Sequence, residues 1–544
     1  MNFRPSRGVI NSENPGSISI APTLNKLIAP AVGELPKFPV YPMFLTLFRR
    51  ELLANLMTLR FFVVVVTCLI LVIASTIVLL QDYKHRLAVY DTGVKTHRED
   101  ITDAKTYSQL RLYVDRPPNP LSIFNQGLDK RLGNTVHVHH QFVPTLLDAL
   151  QHGVDNPFLN LFSGMDLVFI FQVVLSLMAL LFAYDAIAGE REAHTLRLMA
   201  ANPVPRSLIL LAKYASAMVC LILSLIISVL LALFLITTSG LIAFSGEDLL
   251  RILGILLVSV IYLSTFYLIG LLISTVSRRT ATALVFVMFV WVMLVLVYPS
   301  LTVATLDRLI GVDEKLKAAV SEIEQFWDRY DADERASVKK NAVRAYSYPT
   351  RIGHGDHLKY SGGYNGQTLL HHRFWWTYSY DSIDENKEQF VANLQSHSQL
   401  LESSRIRAAE KTWLVRKRAL DQTYGRKTQV VQMAIRLSSA AIYDLATETL
   451  AGTDLRGIEH FAESSRHYRR TLIEYLHEKK AFSSRQWFSH DKGRVRWDDL
   501  PQFSYQRADL GRDIIDVVPD LILLLTINLV TFMAVFLIFR KQAL

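Results

Sequence analysis

The sequence predicts an all-α polytopic membrane protein: six transmembrane helices, an amphipathic N-terminal interface helix and a mainly helical extracytoplasmic domain. Three observations lead there. Of the 544 residues, 51% are hydrophobic, and they gather in blocks about 20 residues long, the length that crosses a bilayer as a helix. Those blocks lack the alternation of barrel strands, and lipid offers the backbone no third way to satisfy its polar groups. With six spans counted, the short loops rich in Lys and Arg all fall on one side of the membrane.

Residues 1–41 are polar and rich in Pro, Gly and Ser. They read as a flexible cytoplasmic tail, not as a cleavable signal peptide, because no early apolar core is present. Residues 42–60 contain PMFLTLFRRELLANLMT, with Phe44, Phe48, Leu52 and Leu56 four apart and Arg49, Arg50 and Glu51 elsewhere on the wheel. This is an amphipathic helix expected to lie on the inner membrane surface; the alternative is a plain extension of the first span. The spans are expected at 61–80, 167–184, 208–237, 252–275, 281–301 and 519–539. The first extracytoplasmic insert is 81–166, the cytoplasmic loop 185–207, and the large helical extracytoplasmic domain 302–518. The ends of that domain mix charges densely with apolar residues at helical spacing, which fits long antiparallel helices packed as a stalk. Between them lies an irregular stretch rich in Gly, Tyr and His.

Orientation follows from charge. Arg49, Arg50 and Arg60 precede the first span, Arg191, Arg197, Arg206 and Lys213 lie between the second and third, Arg278 and Arg279 fill the next turn, and Arg540 and Lys541 follow the sixth. The positive-inside rule makes that side the cytoplasm and puts both termini there. The loop SGLIAFSGED carries acids and falls outside.

The net charge of +9 does not point to nucleic acid, since the cations crowd membrane edges and mixed-sign helices. The two cysteines, Cys68 and Cys220, sit in apolar segments, so the soluble parts hold no disulfide framework and no thiol metal site. His137, His139 and His140 form an HVHH cluster, and His354, His357, His371 and His372 a looser set. Imidazoles at i, i+2 can chelate from a strand. No acidic partner stands at a diagnostic spacing, and exposed or packed histidines are the simpler reading. Asp513, Asp516 and Asp520 share a helix face entering the sixth span; they are a polar cap at the outer interface, which also fits Asp166, or a gate for a cationic or amphiphilic substrate. Arg373 with Phe374, Trp375 and Trp376 reads as a buried aromatic core rather than a membrane or carbohydrate contact. Ionisable groups are nearly absent from the spans, where Ser264, Thr265 and Asn528 are mild polar groups. An ion-coupled transporter normally needs charges there, so an external energy source is indicated. No Ser/His/Asp triad or paired carboxylates stand out.

The loop between the second and third spans has its own logic. Gly189 is expected to break the membrane helix, with Glu190 and Glu192 near the start of a new short helix, where the dipole favours acids. Leu196, Leu198 and Met199 can face the membrane or a partner groove. Asn202-Pro203 stops the helix, Pro205 holds the turn, and Arg206 and Lys213 anchor the next span at the headgroups. An ordinary topogenic loop with no partner is the alternative.

The run Gly189-Glu190-Arg191-Glu192, then Thr195-Leu196, then Asn202-Pro203 with Arg206 and Lys213, resembles the coupling-helix signature of type-2 ABC exporter permeases. The six-span plan resembles in particular the branch with large extracytoplasmic inserts after the first and fifth spans. The stretch IRLSSAAIYDLATETLAGTDLRGIEHF is similar to the segment before the last helix in that branch. Where the family has Gly two residues after the second Glu, this chain has His194, so its helix is expected to run on. The resemblance implies a bacterial inner-membrane subunit with no cofactor of its own, paired with an identical or related permease, membrane lipid and two copies of an ABC ATPase that binds ATP and Mg. No Walker A run occurs here, so the ATPase is another polypeptide. Glu190 and Glu192 are the residues expected to contact it. A membrane-anchored sensor or scaffold is the runner-up, lacking a cytoplasmic output domain, and a membrane enzyme would need a catalytic cluster.

Overall fold

A computed structural model describes residues 40–130, 133–145, 165–195, 205–309, 314–340, 358–359, 373–374, 388–422 and 426–541. Six helices in it are long and apolar enough to cross a membrane. The interface helix α1 (Val40–Leu56) leads into α2 (Leu59–Asp103), whose N-cap Thr58 accepts from the Phe61 amide. At 45 residues α2 is about 68 Å long, far more than a bilayer needs. Its second half therefore continues into the first insert as the same helix. The second span, α3, is built of Leu167–Ile170, a wider π-type turn Phe171–Leu175, and Ser176–Ala183. A short helix α4 (Ala188–Glu192) follows, then α5 (Arg206–Thr238) and α6 (Gly246–Val276). The fifth span, α7, runs Thr280–Trp291, widens over Val292–Val297 and continues as Tyr298–Leu309.

The C-terminal half of the apolar stripe of α1 packs on protein. Leu52 and Leu56 pack against the membrane core, Asn55 Nδ2 donates to Ser216 Oγ on α5 at 3.4 Å, and the outward residues are Leu45, Arg49, Arg50 and Leu53. A helical wheel cannot tell an apolar face that meets a protein helix from one that meets a membrane.

The helix pair α8 (Glu314–Lys340) and α9 (Glu388–Leu420) is the expected stalk, closed around Ala319, Ile323, Trp327, Tyr330 and Ala408. After α10 (Arg426–Ile435) comes α11 (Ser439–Ala451), then α12 (Leu455–Glu478) and the last span α13 (Leu510–Lys541). The two inserts are not separate bodies. The first contributes a small antiparallel hairpin, β1 (Leu112–Asp115) on β2 (Thr135–Val138), with Leu112 opposite Val138. Leu112, Val114, Val136 and Val138 share one core with Phe461, Leu472, Tyr475, Phe482 and Trp487 from the second.

The helix α11 enters the membrane bundle. Its N-cap Ser438 bonds the first amides, and Gly452 at φ 66° ends it in the left-handed conformation a glycine takes at no cost. The Leu450 carbonyl accepts from Arg251 at the start of α6 at 3.0 Å. Tyr443 Oη lies 2.8 Å from Ser259 Oγ and its ring stacks on Tyr262 at 4.3 Å. From Arg251 to Tyr262 is about 16 Å along α6, so the start of α11 sits well inside. Gln172 Nε2 donates to the Ala440 carbonyl at 3.2 Å and Ser438 Oγ to the Leu294 carbonyl at 2.5 Å. Ala440, Ile442, Tyr443, Ala446 and Ala451 are buried there. The small side chains allow the insertion; a bulkier helix would need the spans to part. This segment also brings Arg436 and Asp444 to the bundle, so its ionisable content exceeds what the six spans alone suggested. Elsewhere the spans approach closely: a Cβ on Gly270 would stand 2.6 Å from Ala183 Cβ.

Candidate functional site

The site is at the opposite end of the bundle from α11, where the chain passes from α3 to α5. The helix break falls at Tyr184–Ile187, upstream of Gly189. Ser274 Oγ on α6 accepts from the Ile187 and Ala188 amides at 3.1 and 3.0 Å, which captures the first amides of α4 and sets its direction. Gly189 lies inside α4, where an added Cβ would meet Asp185 Cβ at 3.4 Å, ordinary contact distance.

Each of the next three residues reaches a different element. The Glu190 carboxylate is 3.5 Å from Lys213 Nζ on α5 and bonds the Thr195 hydroxyl. Arg191 donates to the Ser277 and Thr275 carbonyls at 2.7 and 3.0 Å, at the C-terminal end of α6. Glu192 accepts from the Thr280 amide at 3.0 Å and its hydroxyl at 2.7 Å, at the first turn of α7. The helix α4 ends at Glu192, and His194 has φ 60°. The chain therefore bends where the family's glycine stands, and the helix does not run on; His194 takes the left-handed conformation itself, at the steric cost a side chain carries there. Leu196, Leu198, Met199, Asn202 and Pro203 lie outside the described residues.

Lys213 is not a headgroup anchor. It is buried, with Nζ 3.0 and 3.1 Å from the two carboxylate oxygens of Glu51 on α1. A buried ammonium needs carboxylate partners, and here it has them. Tyr267 Oη donates to the Lys213 carbonyl at 3.1 Å. Beside this cluster is a cavity of about 330 Å³ lined by Glu51, Asp185, Glu190, Thr195, Lys213 and Tyr267 among others. Arg60 on α2 binds Asp185 at 2.7 Å with its guanidinium 5.2 Å from the Tyr184 ring centre. Arg206 donates to the Arg540 carbonyl at 3.1 Å and so caps the last turn of α13. A second polar patch continues inward: Tyr214 Oη to Ser264 Oγ at 2.8 Å, and Ser264 to Asn528 Oδ1 at 2.6 Å. Sequence spacing carried no signal for the roles of Glu51, Asp185, Ser274 and Thr280, whose partners are 86 or more residues away along the chain.

The remaining candidates sit elsewhere. His137 on β2 packs on Tyr113 and Phe142, and His139 on Phe142. His140 is buried, with Nε2 2.8 Å from Glu402 on α9. An acidic partner thus exists, 262 residues away, where no spacing rule looks. Burial opposes ionisation of Glu402, but Arg405 and His140 outweigh it and hold the carboxyl at about 2. Among the described residues no group of three or more His, Cys, Asp or Glu side chains is placed to hold a metal ion. Asp513 binds Arg251 at 2.7 Å, Asp516 binds Arg456, and Asp520 binds Arg436 at 2.6 Å. The three aspartates are joints between the last span and the segments around α11. His354, His357, His371, His372, Trp375 and Trp376 lie outside the described residues.

A six-span helical bundle whose interhelix loop is tied by charged side chains to four neighbouring helices is the architecture of a polytopic membrane protein. Residues 45–326 match the family described as ABC-2 family transporter protein, and residues 380–506 match a Domain of unknown function (DUF3526). No curated protein matches the chain. The first match spans more than half of the sequence, so the chain belongs to the ABC-2 transporter family and is the membrane permease of an ABC transporter, the component distinct from the ATPase.

Proposed function

We propose that this permease couples ATP hydrolysis by a separate cytoplasmic ABC ATPase to export of a substrate across a bacterial inner membrane. Two ATPase copies, which bind ATP and Mg, work with two permease subunits, the second identical or related. The loop end and both termini face the cytoplasm, and the cored unit built from the two inserts lies on the far side. The ATPase-coupling residues are Gly189, Glu190, Arg191, Glu192, Thr195, Leu196, Asn202, Pro203 and Arg206. One observation carries this reading: consecutive residues of one short segment hold α5, α6 and α7 at once. A push on such a segment reaches the spans without needing a flexible linker. Closure of the ATPase dimer then shifts the population of bundle states toward an outward-open one, to the extent that ATP binds that state more tightly.

The test is purification of the tagged permease, coexpressed with the genes neighbouring its own, in mild detergent. Wild type is expected to carry an ATPase with nucleotide-dependent activity. Glu190→Arg is expected to insert yet lose activity. Because it sets a second cation beside Lys213, Glu190→Gln is the milder companion. A wild type that carries no ATPase and no such activity overturns the reading.

A further inference from the structure

Arg191 and Glu192 stand in an order that matches the helix ends they touch. The turn at Ser277–Arg279 joins the end of α6 to the start of α7. There α6 presents unfilled carbonyls with partial negative charge and α7 unfilled amides with partial positive charge, side by side. Arg191 brings donors to Thr275 O and Ser277 O, and Glu192 brings an acceptor to the Thr280 amide. The turn does not supply these groups itself: Arg279, the N-cap of α7, makes no side-chain capping bond. Ser274, one turn back on α6, holds the start of α4. The short helix α4 is thus bound to this hairpin at both of its ends.

From this geometry we infer that Arg191 and Glu192 are positioning residues that deliver movement of the loop to the α6–α7 hairpin, with Thr280 as the receiving group. The inference deepens the coupling function proposed above and rests on it. The loop's covalent neighbours are α3 and α5. Without this clamp α6 would feel the loop only through the two Ser274 bonds and side-chain packing, and α7 only through packing. With the clamp, one segment steers two helix pairs.

Hydrogen exchange read by mass spectrometry tests this in two stages. In the purified permease alone, in lipid nanodiscs, Glu192→Ala is expected to speed exchange in residues 277–281 about tenfold, the loss of roughly one net hydrogen bond to a charged group. Glu192→Gln keeps an acceptor and is expected to restore protection. Thr280→Val leaves the loop sequence intact and is expected to loosen residues 188–194 from the other side. Unchanged exchange at 277–281 in Glu192→Ala overturns the clamp. In the second stage, the complex with its coexpressed ATPase is compared with and without ATP, Mg2+ and orthovanadate. Wild type is expected to respond in both segments. Thr280→Pro, outside the loop, removes both donors to Glu192 at a first helical position where proline is tolerated; it is expected to keep the bound ATPase and the response at 188–194 while losing it at 277–281. A response at 277–281 that survives this substitution overturns the clamp while leaving coupling intact. A wild type with no response at 188–194 overturns coupling itself, so the two failures are separable.

Discussion

Replacing Lys213 by methionine distinguishes a buried junction from a membrane anchor. At 3.0 Å from Glu51, a charge pair in a medium of effective dielectric 20 attracts by about 5.5 kcal/mol, before several kcal/mol of desolvation per ion. Breaking such a pair from one side typically costs about 3–5 kcal/mol, because the other charge stays behind unmatched. Here two carboxylates stay behind, with side chains 18% and 24% exposed, and their access to the cavity and water lowers the expected cost to about 2–3 kcal/mol. Methionine keeps the stem volume, so packing contributes little. Glu51→Gln removes one of the stranded charges. The double variant Lys213→Met/Glu51→Gln is therefore expected to be less destabilised than the sum of the singles, by about 1–3 kcal/mol. Unfolding in mixed dodecyl maltoside–SDS micelles, followed by tryptophan fluorescence, measures the cycle. Strictly additive single effects, or a silent Lys213→Met, would refute the reasoning and return Lys213 to the headgroups.

Three further outcomes follow from the same contacts. Arg251 is wholly buried and donates to Glu247, Asp513, the Leu450 carbonyl and the Ala508 carbonyl; Arg251→Lys cannot span four acceptors and is expected to cost about 3–5 kcal/mol in the same unfolding assay. Tyr443→Phe keeps the stack on Tyr262 and loses the bond to Ser259, for about 1 kcal/mol, whereas Tyr443→Ala empties a core site and costs about 3–5 kcal/mol. Asp166, just ahead of the second span, accepts from the Gln126 and Phe169 amides at 3.0 and 2.8 Å. Burial nevertheless raises its pKa from 3.8 to about 7. The folded state then holds the proton more tightly than the unfolded chain. Its stabilisation is full below the unfolded value and is lost as pH rises through 7. Melting curves at pH 5 and pH 8 are expected to show this slope in wild type and not in Asp166→Asn, while Asp166→Ala loses about 2 kcal/mol at both.

What was legible in the sequence was what a short window can contain. The six spans were found because each is a continuous apolar block, and the stalk because its charge and apolar spacing repeat along one helix. The inserted helix α11 escaped as a membrane element because 13 residues are too few to span and because Asp444, Thr447, Glu448 and Thr449 dilute its hydropathy. Its burial depends on α3, α6, α7 and α13 leaving room for Ala440 and Ala446, which is a property of packing. The loop was marked by its charges, but its contacts were not: a carboxylate next to an arginine looks the same whether it caps a distant helix or faces water. Lys213 shows the same limit in reverse, since a lysine near the start of a span has the spacing of an anchor until Glu51 is placed beside it.

The wide turn in α7 explains how α11 is held, and it makes a last prediction. Val292–Val297 is a π-type turn, in which a carbonyl takes the amide five residues ahead, as Met293 does in accepting from Tyr298. The next carbonyl, Leu294, would look to residue 299, which is Pro299 and has no N–H. Ser438, the residue that caps α11, donates its hydroxyl to that carbonyl instead. Proline in the span thus creates the acceptor that receives the inserted helix. Pro299→Ala restores the missing amide, which competes for Leu294 O and leaves Ser438 without its partner in α7. In wild type, Ser438→Ala is expected to cost about 1–2 kcal/mol through the stranded carbonyl and the lost cap. In the Pro299→Ala background the carbonyl is already filled, so Ser438→Ala is expected to cost about 1 kcal/mol less, the remaining loss being the cap alone. Equal costs in both backgrounds would mean that Leu294 O finds another donor, and that the coincidence of Pro299, the wide turn and Ser438 does not fasten α11.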